Sequence, residues 1–232
     1  MQDLTPFGGR QRWALAAIAA LAVAPAAHAT QLVPQNLTQM IAKADTIVAG
    51  RVTSVSDGIS PEGVPYTEVT LKLSAAPKPV VAAAAASRGS SRAAASQSAA
   101  AAPATYTFRQ YGLLKPRRMS DGRYLLPARI EGMPTWRVGE QVMSFMNKPA
   151  ARTGLTTPVG LAQGKLTIEG TRAVNAFNNV GLFDKVQVSA GLLQGREAAM
   201  LGQTSGGVDL AVLQGLVQRA VKGNWVSSGA MR

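Results

Sequence analysis

The sequence contains no cysteine, and its single histidine, His28, lies close to the N-terminus. Without cysteine the chain cannot form disulfides, thiolate metal sites or a cysteine nucleophile. Because no histidine follows residue 28, the rest of the chain cannot carry a Ser-His-Asp triad, a zinc ion bound by imidazoles or an imidazole pH switch. The sequence therefore predicts neither a metal site nor a cofactor, and it favours a binding protein over an enzyme.

Residues 1–29 have the features of a secretory signal peptide. Arg10 and Arg12 precede an uninterrupted apolar run at 13–24, and Ala27-His28-Ala29 is a small-residue cleavage signature. The run of about a dozen residues is shorter than the roughly 20 needed to span a bilayer, which argues against the alternative of a membrane anchor. We therefore expect export to the periplasm or beyond after cleavage near Ala29, with no transmembrane segment in the mature chain.

Acidic and aromatic residues are also few. Twelve Asp and Glu stand against 24 Lys and Arg, which gives a formal net charge of +12, and aromatic residues make up 5% of the chain. A positive surplus favours contact with polyanions. Tyr106, Phe108 and Tyr111 could stack nucleic-acid bases in an intracellular OB-fold, but Tyr106 and Phe108 share a strand face and are predicted to be core. For an exported chain the expected partner is an anionic envelope polymer or an exported protein, and no nucleic acid.

The carboxylates leave one catalytic alternative open. Asp57 and Glu62 share a predicted loop, and Glu131 and Glu140 flank Trp136. Two carboxylates at a suitable separation can hydrolyse glycosidic bonds, so a carboxylate-dependent hydrolase of cell-wall polysaccharide is an alternative to a binding protein. Because such residues are most often ordinary surface charges, no pair is singled out as catalytic.

The central part of the chain predicts a curled β-sheet. Residues 142–146 are apolar on both faces, which is typical of a buried strand. The next run, 159–163, is interpreted as a second strand, and residues 165–169 alternate polar and apolar as a half-exposed third strand. Gly160 and Gly164 indicate the bend with which a small closed barrel turns its corners.

The other elements follow from spacing and capping signals. They are a helix at 37–44 capped by Asn36 and Gln39, strands at 46–56, 66–73 and 105–111, a weaker strand at 172–177, and a helix at 209–221 that begins at Asp209 and ends before Gly223.

Two segments interrupt this pattern. Residues 75–104 hold 15 Ala in 30 positions and no aromatic residue, so they are predicted to be a disordered insertion, with transient helix as the alternative. Residues 112–135 form a long connection that we call the basic loop. One interpretation of this segment is an ordinary solvated loop, and the other is an anion-binding patch. The candidate anion-binding residues on it are Lys115, Arg117, Arg118, Arg123 and Arg129.

Two motifs carry a resemblance to a known group of proteins. The pattern V-G-L-x-Q-G-K-[FL] is matched at residues 159–166, and the pattern G-x-P-x-[FW]-x-x-G-E is matched at Gly132, Pro134, Trp136, Gly139 and Glu140. Over residues 37–177 the chain resembles largely uncharacterised exported bacterial proteins with a small OB-like β-barrel domain. The resemblance implies such a barrel and no catalytic residues. In some members the domain accompanies matrixin-like secreted metalloproteases, which implies a third candidate role as a protease inhibitor or chaperone.

We therefore predict a mainly β fold with a short N-terminal helix. A closed OB-like barrel of five to seven strands would cover residues 30–185, and a C-terminal helical extension, 186–232, would pack on it. The predicted function is that of an exported, non-enzymatic binding or accessory module that uses the loops at the barrel rim, among them the basic loop.

Overall fold

The computed structural model describes residues 33–78, 104–119, 121–128 and 130–232. The predicted signal peptide at 1–29, most of the predicted Ala-rich insertion, and Arg129 lie outside the described residues. All described residues belong to one unit, Val33–Arg232.

The described part of the chain is mainly β. Its strands are β1 (Thr46–Ile59), β2 (Pro65–Lys78), β3 (Thr105–Tyr111), β4 (Arg117–Arg118), β5 (Tyr124–Leu125), β6 (Gln141–Met146), β7 (Lys165–Glu169), β8 (Arg172–Asn175) and β9 (Val208–Asp209). Its helices are α1 (Leu37–Lys43), α2 (Glu197–Leu201) and α3 (Leu210–Lys222). Seven strands form one antiparallel sheet in the order β3-β2-β1-β6-β7-β8-β9, and β4 pairs with β5 in a separate hairpin.

Strand β6 is buried on both faces, as its apolar run predicts. Met143 and Phe145 pack with the buried faces of α1 and α3 in what we call the helix-side core. Val142 and Met146 pack on the other side with residues of β1, β2 and β3 and with Trp136, in what we call the Trp136-side core. Because successive strand residues point to opposite faces, β6 separates two cores that share one sheet.

The closed barrel predicted from the sequence is not confirmed. Strands β3 and β9 are the two edges of the described sheet, and no strand joins them. Residues 155–158 do contact two strands through isolated bridges, in which Leu155 pairs parallel with Arg109 of β3 and Pro158 pairs antiparallel with Met146 of β6. Both bridges are isolated, and Pro158 has no N–H with which to extend the pairing with β6.

The run at 159–163, predicted to be a strand, is part of a tight turn instead. A short 3-10 helix covers Leu161–Gly164, and Gly160 before it has a left-handed φ of 63°. A Cβ atom at Gly164 would collide with the carbonyl oxygen of Val159, so the chain folds back on itself at this point. The two glycines therefore produce the predicted bend within a turn that an apolar residue pattern does not distinguish from a strand.

The predicted helix caps are confirmed. In α1, the Asn36 side chain accepts a hydrogen bond from the Gln39 N–H at 2.9 Å, and the Gln39 side chain accepts one from the Asn36 N–H at 3.0 Å. Helix α3 begins after Asp209, whose carboxylate accepts from the Ala211 and Val212 N–H groups, and ends before Gly223. These caps orient the two helices whose apolar faces cover the helix-side core.

The C-terminal part of the chain contributes to the sheet as well as to the helices. Strand β9 pairs with β8, and the last residue, Arg232, exchanges two backbone hydrogen bonds with Gln187. An ion pair between Glu197 and Arg219, at 2.5 Å, joins α2 to α3. Among the described residues, no helix has the length and apolar character required to cross a membrane.

Candidate functional site

One buried carboxylate, Asp57 at the end of β1, fixes the start of the basic loop. Its side chain is 4% exposed. It accepts hydrogen bonds from the Leu114 N–H at 2.8 Å and the Lys115 N–H at 3.3 Å, and from the Arg117 guanidinium at 2.7 Å. The hydrogen bond from Arg117 lowers the pKa of Asp57 below its ordinary value of 3.8, against the opposing effect of burial. The loop therefore begins at an ionised carboxylate, both oxygens of which accept hydrogen bonds.

Beyond this anchor the loop forms the β4–β5 hairpin, whose two faces differ. Arg117 lies opposite Leu125, and Arg118 lies opposite Tyr124. Since opposed residues of an antiparallel pair share a face, the half-buried Arg117 and Leu125 face the body of the protein. Tyr124 is 64% exposed, and Leu126, two residues further, is 66% exposed. We call Arg118, Tyr124 and Leu126 the outer face of the hairpin.

Two of the five predicted anion-binding residues already have acidic partners. Arg117 forms an ion pair with Asp57 at 2.7 Å, and this contact ties the basic loop to the end of β1. Arg123 forms an exposed ion pair with Asp121 at 2.6 Å, which leaves most of its guanidinium open to solvent. Arg129 lies outside the described residues.

The other two, Lys115 and Arg118, are exposed cations on the same loop. In the part of the chain that the structure describes, neither side chain has an acidic partner, and the only hydrogen bond at Lys115 comes from its backbone N–H. The structure therefore assigns the free positive charge of the basic loop to these two residues and, in part, to Arg123.

Exposed apolar side chains lie beside these cations. In addition to the outer face, Leu114 is 54% exposed and Ile130 is 39% exposed. Both line a hollow of about 170 Å³, whose wall includes Trp136. Exposed apolar surface of this kind, rimmed by charge, is typical of an interaction site more than of a solvated loop.

Replacing Asp57 with alanine is expected to release the base of the basic loop. The Arg117 guanidinium would lose its carboxylate and two backbone N–H groups would lose their acceptor, at a cost of about 1–3 kcal/mol. Hydrogen exchange at the Leu114 and Lys115 amides should accelerate by about tenfold or more, and amides of β6 should change far less. Asp121→Ala is the matched control, because it removes an exposed ion pair from the same loop. Equal acceleration in both variants would contradict the anchoring role of Asp57.

A second arrangement lies where the two sequence motifs meet. Glu140 and Lys165 form an ion pair at 2.6 Å, with side chains 16% and 9% exposed. The Lys165 ammonium also donates to the Thr135 carbonyl at 2.7 Å, and it lies 4.9 Å from the ring centroid of Trp136. Burial lowers the pKa of Lys165 from its ordinary value of 10.5, whereas the hydrogen bond with Glu140 opposes this shift.

This ion pair forms part of the wall of a cleft of about 400 Å³. Both oxygens of Glu140 are occupied, one by Lys165 and the Thr167 hydroxyl and the other by the Arg137 N–H at 3.2 Å. The network thus fastens the loop before β6 onto β7. The cleft contains a second carboxylate, Glu169. Neither pair considered from the sequence lines it, because Glu131, Asp57 and Glu62 are not among its lining residues.

The sequence identified Glu140 and Lys165 as motif positions but did not pair them. It placed Lys165 on the polar face of a half-exposed strand, whereas the residue is 8% exposed. The two strand starts are not opposed, because antiparallel pairing of β6 with β7 places Ser144 opposite Lys165. The long Lys165 side chain reaches along the sheet to Glu140 Oε1, which also accepts from the Thr167 hydroxyl two residues further along β7. Strand order and residue spacing alone therefore do not predict this pair.

Arg137 is the further cation of this cleft that the sequence did not single out. It is exposed, and its backbone N–H, but no side-chain nitrogen, is hydrogen-bonded among the described residues. Its position follows from the motif loop, which the Glu140 network holds in place.

Comparisons with family models, with curated proteins and with solved structures found no match to this chain.

Proposed function

We propose that this chain is an exported, non-enzymatic binding module that contacts anionic material through its basic loop. The observation that carries the proposal is that the basic residues of this loop differ in their contacts. Arg117 is spent on anchoring the loop to Asp57, whereas Lys115 and Arg118 are presented to solvent without acidic partners among the described residues. A loop that is fixed at its base and carries exposed cations suits recognition, because little ordering is required on binding.

The far end of the basic loop is also held in place. The Gln110 side chain donates to the Pro134 carbonyl at 3.1 Å and accepts from the Trp136 indole at 2.9 Å. The Gly132 carbonyl accepts from the Ala162 N–H at 2.8 Å. Both ends of the loop are therefore attached to the sheet by buried or backbone hydrogen bonds, which supports a fixed presentation of the hairpin.

We further infer that the sheet curls into a small OB-like barrel whose rim carries this loop. Strand β1 pairs with both β2 and β6, and its ladder with β2 has three register shifts, which mark bulges or other irregularities. Bulges bend and twist a strand. The bridges of residues 155–158 to β3 and β6 lie where closure would occur. These contacts support the inference, and rim loops are the usual binding elements of such barrels.

Salt-dependent retention on heparin, used as a polyanion probe, tests the binding proposal. We expect the full chain to bind heparin, and Lys115→Gln/Arg118→Gln to reduce the slope of log Kd against log salt by about two, one for each removed cation. The matched control is Lys148→Gln/Arg152→Gln, which removes two exposed cations from the loop after β6.

The control should change the slope by much less than the basic-loop variant does. Equal effects of the two double variants would mean that retention reflects only the net charge of +12, and the basic loop would then not be the binding site. Absence of retention at low salt would remove the proposal altogether.

A carboxylate-dependent hydrolase is the second candidate, and one observation favours it. Glu140 and Glu169 line the same cleft, and two carboxylates in one cleft are the minimum for glycosidase chemistry. The full use of both Glu140 oxygens counts against it. Turnover of a cell-wall polysaccharide that is abolished by Glu169→Gln would replace the binding proposal with this one.

A further inference from the structure

We infer that the outer face of the hairpin docks on the surface of an anionic lipid bilayer. This inference rests on the proposed function, since it names the anionic partner of the same loop. Its basis is that the exposed face is not only cationic. Tyr124 and Leu126 are 64% and 66% exposed beside Arg118, and a partner that offered negative charge alone would leave both apolar side chains in water.

The pairing of the hairpin places Arg118 and Tyr124 on one face, because they are opposed in the β4–β5 ladder. Leu126 follows directly after β5 and is as exposed as Tyr124. The Arg117–Asp57 contact holds the opposite face against the sheet. The hairpin therefore cannot bury its apolar residues by turning over without breaking that anchor.

The chemistry of the face matches the boundary between lipid headgroups and acyl chains. Tyrosine is enriched at this boundary because its ring is apolar and its hydroxyl is polar. Lysine and arginine next to it are attracted by the negative surface potential of an anionic leaflet. Stable docking on a membrane requires an apolar contact and an electrostatic contact together, and the loop provides both, with Lys115 and Arg118 as the free cations.

Neighbouring residues extend the same surface. Leu114, 54% exposed, and Ile130, 39% exposed, lie at the base of the loop. Arg123 adds a cation whose side chain is 86% exposed, although Asp121 neutralises part of its charge. The outer face is small for a protein partner. A stable protein interface buries about 800 Å² on each side, whereas the outer face belongs to a hairpin with two-residue strands.

Co-sedimentation of the full chain with two kinds of vesicle tests the inference. One kind contains phosphatidylcholine with phosphatidylglycerol, and the other contains phosphatidylcholine alone. We expect binding to the anionic vesicles only. Tyr124→Ser/Leu126→Ser should weaken that binding by about tenfold or more, because the apolar contact is lost, and should leave heparin retention unchanged. Lys115→Gln/Arg118→Gln should weaken both.

The matched control for the apolar variant is Val33→Ser/Val180→Ser. These valines are 71% and 64% exposed at other places on the surface, so the control removes similar exposed apolar area and should bind anionic vesicles like the parent chain. All substituted residues are exposed, so the variants should fold, which circular dichroism checks.

Three other outcomes would contradict the lipid inference. If Tyr124→Ser/Leu126→Ser binds anionic vesicles as the parent does, the contact is electrostatic only; the lipid inference falls, and the polyanion-binding function stands if heparin is still retained. Equal binding to neutral vesicles overturns the inference in the same way. If the parent chain binds neither vesicles nor heparin, the proposed function falls with it.

Discussion

Replacing Trp136 with alanine is expected to lower the free energy of unfolding by about 3–5 kcal/mol. The indole is 6% exposed and packs edge-on against Phe108, with ring centroids 5.0 Å apart. Alanine would leave a cavity in the Trp136-side core. The indole N–H also donates to the Gln110 side chain at 2.9 Å, and Gln110, 7% exposed, would lose that partner. Urea denaturation followed by circular dichroism measures the effect.

Two controls separate the contributions of the Trp136 ring. Trp136→Phe keeps most of the buried volume and loses the hydrogen bond, so we expect a smaller loss of about 1–2 kcal/mol. Tyr124→Ala removes an aromatic ring from the surface and should change stability by less than about 0.5 kcal/mol. A Trp136→Ala variant as stable as Tyr124→Ala would show that the indole does not support the core.

The same substitution connects stability to the proposed function. Trp136 and Gln110 hold the end of the basic loop near Pro134, so loss of the indole should also loosen the hairpin. We therefore expect heparin retention of Trp136→Ala to weaken even under conditions in which the variant remains folded. Retention equal to that of the parent would indicate that the Asp57 anchor alone is sufficient to present the loop.

Local patterns in the sequence were enough to predict most of the elements. The alternation at 66–73 and 105–111, the apolar run of β6 and the caps at Asn36 and Asp209 each depend on residues close in the chain. The turn at 159–163 was predicted wrongly as a strand, because its cause is the contact of Gly164 with Val159. The bridges of residues 155–158 to β3 and β6 likewise depend on contacts between segments that are distant in the chain.

The candidate site shows the same limit. The basic residues of the loop were identified from the sequence, but their spacing did not distinguish the role of Arg117 from that of Arg118. Their roles differ because neighbouring positions on a strand point to opposite faces, and only the structure shows which face meets Asp57. The apolar half of the outer face, Tyr124 and Leu126, was not predicted, since an exposed apolar residue in a loop looks like a buried one until its surroundings are known.

Replacing Glu140 with alanine is the second change for which we expect a large effect. Removing one partner of a buried ion pair leaves the other charge uncompensated, which typically costs about 3–5 kcal/mol. Here the Lys165 side chain is 9% exposed, and among the described residues it would keep the Thr135 carbonyl and the Trp136 ring as partners. Glu169→Ala, which removes an exposed carboxylate from the same cleft, is the matched control and should change stability by less than about 0.5 kcal/mol.

The double variant Glu140→Ala/Lys165→Met distinguishes a buried charge from a lost contact. Methionine fills similar space without a charge, so the double variant should recover a large part of the stability lost in Glu140→Ala. A double variant that is less stable than the single one would instead mean that Lys165 stabilises the fold through the Thr135 carbonyl and the Trp136 ring.

The dependence of stability on pH gives an independent test of the same pair. Burial lowers the pKa of Lys165 in the folded protein, and the Glu140→Ala variant removes the carboxylate that opposes this shift. Between the lowered folded pKa and the ordinary value of 10.5, the unfolded chain therefore binds more protons than the native state, so stability rises with pH. We expect the deficit of Glu140→Ala relative to the parent chain to shrink as pH is raised from about 7 to about 10. A deficit that stays constant over this range would mean that Lys165 reaches solvent once its partner is gone, and the large stability loss should then be absent as well.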